Sequence, residues 1–324
     1  MPDRSEIAEF LQSRRARLQP EDVGVPSTGE RRRVPGLRRS ELAQLAGVSV
    51  EYYTRLEQGR AGNVSDMVID AIAQALRLDA TERTHLTDLL RPQPAARRRR
   101  RSAPQRLRPG VVQLLNSISS PAFVLGRRMD VLATNRMARL LLTDFDALPA
   151  PQRNMARWIF LGEEAHELYP DWETVARETV AMLRFDAGRH PEDPDLSELI
   201  GELSMKSPQF AGWWATHDVT ERTFGTKDYR HPVVGELSIR YEALRLPDDP
   251  DQLLIAYTTE AGSPSERAMR LLDAWGAEVD APERADDDAP ERAQVDAPER
   301  AEDETPVPTG PAAGPAGPVA PERA

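Results

Sequence analysis

Residues 37–59 read LRRSELAQLAGVSVEYYTRLEQG, two short amphipathic segments hinged at Gly47. The small side chain of Ala43 lets two helices cross closely. Gly47 is free to take the left-handed backbone conformation that ends one helix and opens a turn. Leu42, Ala46, Val48, Tyr53 and Leu56 then fall on inward positions. Ser49 stands where it can cap the second segment, which leaves Val50, Glu51 and Tyr52 on an exposed first turn. This is the spacing of a helix-turn-helix, whose second helix enters a DNA major groove. Spacing to Leu56 favours Tyr53 over Tyr52 as the inward tyrosine without deciding it, because i+3 and i+4 neighbours share a helix face.

The charge distribution agrees with that reading for one part of the chain only. Residues 1–110 carry 21 Lys+Arg against 14 Asp+Glu, whereas the remaining 214 residues carry 21 against 39. A polyanionic partner is therefore expected for the N-terminal part alone. The absence of cysteine excludes disulfides, thiol catalysis and thiolate metal sites, and fits a reducing cytosol. Neither an apolar leader nor an uninterrupted run of 18 apolar residues is present, so a cytoplasmic protein without a membrane partner is expected.

Upstream of the motif, Ile7, Phe10, Leu11, Arg14 and Leu18 recur at helical spacing and predict a helix over 4–18. A Pro/Gly-punctuated loop follows, and its Arg31–Arg33 triplet reads equally as a phosphate contact or a solvated run. Downstream, Ser65 is placed to cap one helix and Thr81 to start another, completing a five-helix module over residues 1–91. Residues 92–106, with five consecutive arginines and three prolines, form a linker. Between 107 and 262 the pattern becomes mixed. AFVLG and DVLATN predict two short strands, helices are expected at 153–160, 171–185, 195–204 and 208–216, and 220–260 alternates like antiparallel strands with a hairpin at PDDPDQ. The expectation is an α+β domain with helices on one side of its sheet. From 263 to 324, 15 acidic residues face 6 basic ones counted from Ala261, and DAPERADD, DAPERAQV and DAPERAED start at Asp280, Asp288 and Asp296. That composition predicts a disordered acidic tail, with Ser265–Trp275 able to form one short helix against the domain.

The form LRRSELAQLAGVSVEYYTRLEQGR resembles the helix-turn-helix of xenobiotic-response-element-type regulators. LGRRMDVLATNRMARLL, DWETVARETVAMLR, LIGELSMKSPQFAGWWATHDV and KDYRHPVVGELSIRYEAL resemble the MmyB-like regulators, over roughly Glu6–Ser265. The resemblance implies a multidomain protein, with an all-α helix-turn-helix domain, a PAS-like ligand-binding domain with an antiparallel sheet, and a small, acyl-type (fatty-acid-like) or signalling effector. It places Arg39 at a phosphate contact, Val50, Glu51 and Tyr52 facing bases, and Thr54 and Arg55 near the backbone; Arg38, Ser49 and Arg60 complete the expected DNA-binding set. Tyr53 departs from the pattern, which commonly has a β-branched residue there. Glu51 can accept from a cytosine N4, and Tyr52 can pack on a thymine methyl or a phosphate.

For the effector, a largely apolar pocket with a few convergent polar groups is expected. Asn135, Asn154, Arg157, Trp158, Trp213, Trp214 and His217 are the candidates. Arg157 suits a carboxylate but equally suits a structural tie to Asp171, and each tryptophan suits the core. Five scattered histidines, with no metal-ligand spacing, Walker A, GxSxG or GxGxxG sequence, call for no catalytic residue, metal or cofactor. The reading is a homodimeric transcription regulator bound to a double-stranded operator. Its competitors are a DNA-tethered enzyme using His217 and a second domain that serves only dimerisation or protein docking.

Overall fold

The computed structural model describes residues 4–24, 36–91, 105–221 and 223–287. The Arg31–Arg33 triplet, residues 92–104 of the linker and the two later copies of the repeat lie outside them.

Five helices build the N-terminal half: α1 Arg4–Arg17, α2 Arg39–Leu45, α3 Val50–Glu57, α4 Asp66–Ala75 and α5 Ala80–Leu90. Each start has a local cause. Ser49 and Ser65 accept from the backbone N–H groups of Tyr52 and Val68. The last helix begins one residue before the expected Thr81. Asp79 and Glu82 bond reciprocally across its first turn, with Glu82 N–H to Asp79 at 2.8 Å and Asp79 N–H to Glu82 at 3.2 Å, and an aspartate in a capping box outcompetes a threonine inside the helix. Phe10, Leu11, Leu42, Tyr53, Leu56 and Ile72 are fully buried and form the centre of this half's core.

In the second half, α6 Pro109–Ser117 leads into β1 Ala122–Leu125, a tight 3-10 turn at Arg127–Met129 and β2 Val131–Thr134. Six helices follow, α7 Arg136–Leu141, α8 Met155–Leu161, α9 Glu163–Leu168, α10 Trp172–Arg189, α11 Pro194–Lys206 and α12 Pro208–Trp214. The chain closes with β3 Phe224–His231, β4 Gly235–Leu246, β5 Asp249–Thr258 and α13 Pro264–Asp287. The sheet is antiparallel in the order β2-β1-β5-β4-β3. Pairings such as Tyr241 with Tyr257 and Tyr229 with Leu237 place one row of side chains on the helix-covered face, consistent with the period-2 alternation along β4. The expected helical module and α+β domain with an antiparallel sheet are what the chain forms.

One expectation needs correction. Helices do not cover one side of the sheet alone: Val111 and Leu115 of α6 pack with Ala122, Val124 and Leu254 on the opposite face. That is why every residue of β1 is buried while β4 alternates. The short helix expected for Ser265–Trp275 against the domain is present and longer, α13 running from Pro264 to Asp287. Met269 and Leu272 of α13 join the core, Ser265 accepts from the Ser238 N–H at 2.9 Å, and Asp273 pairs with Arg136 at 2.6 Å. The i, i+3 spacing of Met269, Leu272 and Trp275 carries enough apolar surface for one helix, ahead of the polar repeat.

Candidate nucleic-acid interface and ligand pocket

Gly47 adopts φ 65° with open space where a Cβ would sit, so its requirement is backbone conformation alone. The turn it makes is locked by the Val48 N–H to Ala43 carbonyl bond of 3.0 Å, and Ala43 is fully buried at the helix crossing. Tyr53 is fully buried and Tyr52 half-buried at the edge of the core, which settles the rotation of α3. The first turn of that helix then presents Ser49, Val50 and Glu51 to solvent, with Val50 46 % exposed.

Arg39 and Arg15 converge on one oxygen of Glu57, at 2.8 and 3.3 Å. Glu57 closes α3 and is buried, Arg15 comes from α1, and Arg39 opens α2, so three helices meet on one carboxylate. The Arg39 side chain remains 53 % exposed on its outer side. Arg38 uses its N–H on Glu41 at 2.7 Å, and the Thr54 hydroxyl bonds back to the Val50 carbonyl at 2.7 Å. Arg55 and Arg60 are exposed at the far end of α3.

The seven residues expected to contact an effector do not converge. Asn135 is buried and saturated: its Oδ1 accepts from the N–H groups of Ala122 and Ala138, and its Nδ2 donates to the carbonyls of Ile118 and Ser120, all within 3.0 Å. Asn154, also buried, caps α8 and holds the Arg128 carbonyl at 2.7 Å and Asp130 at 2.9 Å. Arg157 is a tie, but its partner is Glu202 at 2.7 Å; Asp171 caps α10 instead. Trp158 packs edge-on between Phe145 and Tyr169. Trp213 lies under Arg177, and Trp214 lies between Arg184 and Phe210. His217 follows α12 with φ 56° and pairs with Glu9 of α1 at 3.2 Å, while the adjacent Asp218 pairs with Arg17. Trp214 and His217 thus line a groove of about 620 Å³ between the two halves, with Glu6, Glu9 and Arg184.

The interior of the second half holds two smaller cavities. One, of about 50 Å³, lies between the sheet and helices α8 and α10 and is walled by Phe123, Met155, Tyr169, Tyr241, Tyr257 and Met182. Its charged lining residues are Glu178 and Lys227, the latter over the rings of Tyr241 and Tyr169 at 5.4 and 5.9 Å. Burial raises the Tyr169 and Tyr229 hydroxyls well above the usual tyrosine range and pushes Tyr257 up to about 12, so these phenols stay neutral near physiological pH. The second cavity, about 80 Å³, shares Leu125, Met129 and Met182 with the first and ends at Phe185, Thr220 and Thr223. None of the seven expected residues lines either cavity. Met129 sits in a turn, and Met182 and Phe185 fall in the amphipathic pattern of α10, so no sequence signal singles out these cavity walls.

The pattern of the MmyB-like transcription regulator ligand binding domain matches residues 107–272, just over half the chain, and that of a helix-turn-helix domain matches residues 6–86. The chain belongs to the MmyB-like transcription regulators. The regulator is accordingly a DNA-binding protein with a ligand-binding domain, and the two matches coincide with the five-helix half and with the sheet-containing half through the start of α13. Among curated proteins nothing matches the regulator's sequence. No described helix of the regulator is long and apolar enough to cross a membrane. Among the described residues there is no cluster of three or more His, Cys, Asp or Glu arranged to hold a metal ion.

Proposed function

We propose that the regulator is a homodimer acting in the cytoplasm on a two-fold-related operator, with one α3 helix per half-site and operator affinity set by a small, acyl-type effector. Residues 1–91 bind DNA, 92–106 connect, and the segment from 107 through α13 takes the effector. Val50, Glu51 and Tyr52 read base edges from the exposed first turn of α3, while Arg38, Arg39, Arg55 and Arg60 contact phosphates. No catalytic step is assigned. The observation that carries this reading is the pairing of a solvent-facing α3 turn with an apolar, tyrosine-lined chamber in one chain. The chamber's apolar walls favour an apolar effector body, and Lys227 favours an anionic end.

At about 50 and 80 Å³ the two cavities fall short of the roughly 300–1,000 Å³ of small-molecule sites. An effector therefore enters by displacing side chains, and Met129, Met155 and Met182 are unbranched and readily repacked. The test selects an operator from a random duplex library with the full-length protein, then titrates it with and without saturated fatty acids of increasing chain length. Two protomers should bind a palindrome, and one chain-length window should change its affinity. A selected site without two-fold symmetry would sink the dimer. Operator affinity and melting temperature both insensitive to every acid would leave a docking role for the second domain.

A further inference from the structure

We infer that the signal passes to the helix-turn-helix half through the cavity at Phe185, whose filling reseats α10 against α5. This rests on the effector reading above and adds where that effector is felt. Helix α10 serves both sides at once. Glu178, Thr179 and Met182 wall the tyrosine-lined chamber, and Met182, Phe185 and Asp186 wall the second cavity. Phe185 is also a member of the N-terminal core: it is buried among that half's apolar side chains, with its ring 6.5 Å from His85 of α5. Three residues further on, Gly188 lies so close to the same imidazole that a Cβ there would fall 2.4 Å from its Nδ1. A molecule touching the cavity side of Phe185 is thus one side chain away from the DNA-binding half.

The contact continues inward. His85 is fully buried and edge-on to Phe10 of α1 at 5.0 Å, and α1 carries the Arg15 that holds Glu57 at the end of α3. Val219 joins the same core beside Thr220, which lines the cavity and donates its N–H to the Ala181 carbonyl of α10 at 3.3 Å. The gate between the two cavities is also loaded. Arg128 and Met129 are consecutive non-glycine residues with φ 59° and 62°, a left-handed pair that persists only when its surroundings hold it. Asp186 of α10 accepts the Arg128 N–H at 3.0 Å, and Asp130, Asp193 and Asp195 hold its guanidinium. Displacing Met129 therefore pulls on α10 one residue from Phe185. A core packed this closely shifts as a unit, which is how a small displacement reaches another site.

The lack of cysteine makes the test independent of effector identity. Thr223→Cys, on the exposed rim of the cavity, and Met182→Cys, on the wall it shares with the tyrosine-lined chamber, are each treated in the full-length protein with octyl methanethiosulfonate, which fills the cavity covalently. Operator affinity and amide exchange of α1 and α5 are then measured, with and without Phe185→Ala. Labelling should change operator affinity by about fivefold to 150-fold, the range of measured couplings, and change exchange in α5, and Phe185→Ala should remove both effects. Labelled protein with unchanged exchange in α1 and α5 would overturn the inference, as would introduced thiols that no alkyl reagent reaches at either position in the folded protein. A Phe185→Ala variant that keeps the full response would do the same. Should no operator be found while α5 exchange still responds through Phe185, the transmission stands and the DNA reading fails.

Discussion

Replacing Glu57 by alanine tests the claim that one buried carboxylate ties α1, α2 and α3 together. Its Oε1 receives Arg39 at 2.8 Å and Arg15 at 3.3 Å, and the two arginines differ sharply in exposure, 53 % for the Arg39 side chain and 8 % for Arg15. Removing the acid leaves Arg15 as a buried cation, a loss of about 3–5 kcal/mol when nothing compensates. Arg15 keeps its bond to the Leu37 carbonyl at 2.6 Å, which places the expected loss near the lower end, about 3 kcal/mol. For a chain of this size 1 kcal/mol moves the melting temperature by about 2–4 °C, so a drop of about 6–12 °C is expected in circular dichroism melts. Arg39→Ala removes the solvent-facing partner instead and should cost about 0–1 kcal/mol. Operator titrations of the same variant should show weaker binding with the salt slope reduced by about 1. The reasoning fails if Arg39→Ala melts as low as Glu57→Ala, or if Glu57→Ala lowers the melt by less than about 2 °C.

Three further outcomes follow from the same geometry. Tyr53→Ala should destabilise by about 3–5 kcal/mol as a large core truncation, whereas Tyr52→Ala should act mainly on operator affinity; chemical denaturation beside DNA titration separates them, and the reverse result would mean that α3 is rotated. Asn135→Ala should cost about 2–4 kcal/mol by stranding buried backbone groups, while leaving effector-induced thermal shifts in place. Burial, then the Arg184 and Arg14 charges, lowers the His85 pKa to about 3, well below its ordinary value. The unfolded chain therefore binds a proton there that the folded chain refuses. Stability from this group is complete above about pH 6.5 and falls as pH drops toward 3, by up to about 1.4 kcal/mol per pH unit. His217, lowered to about 4 by burial, adds to the same slope. His85→Leu should flatten the slope in denaturant melts between pH 6.5 and 5 without abolishing it; an unchanged slope would refute the assignment.

The helix-turn-helix was legible because each of its parts has a local cause: a left-handed glycine, a serine cap and an inward row at helical spacing. The strands were legible for the same reason, as period-2 alternation along β4 and a hairpin turn within Pro247–Gln252, although β5 already starts at Asp249 and leaves only Pro247 and Asp248 in the turn. What escaped reading depends on tertiary neighbours. Asn135 and Asn154 attract attention as polar residues at element starts, and only the fold reveals that carbonyls and N–H groups already saturate them. Arg157 has acids available from several directions, and packing of α8 beside α11 brings Glu202 within reach in place of Asp171. The cavity walls are methionines, tyrosines and phenylalanine, residue types that a sequence cannot divide between core and chamber. Helix α13 was legible over Ser265–Trp275 from its spaced apolar residues, and only its continuation to Asp287 was not, because the acidic repeat beginning at Asp280 carries no apolar period.

The glycine at 188 also governs how the protein can be recombined. Because even a methyl group at that point would meet His85, the two halves are keyed to one another like cut parts of a single piece, and the key is divided between α5 and α10. Exchanging the first 91 residues with those of another regulator transplants one half of the key without the other. A working chimera must carry a small residue at the 188 position opposite a ring on α5, together with a counterpart to Phe185. Interchangeability of the two halves of this regulator is decided at that seam.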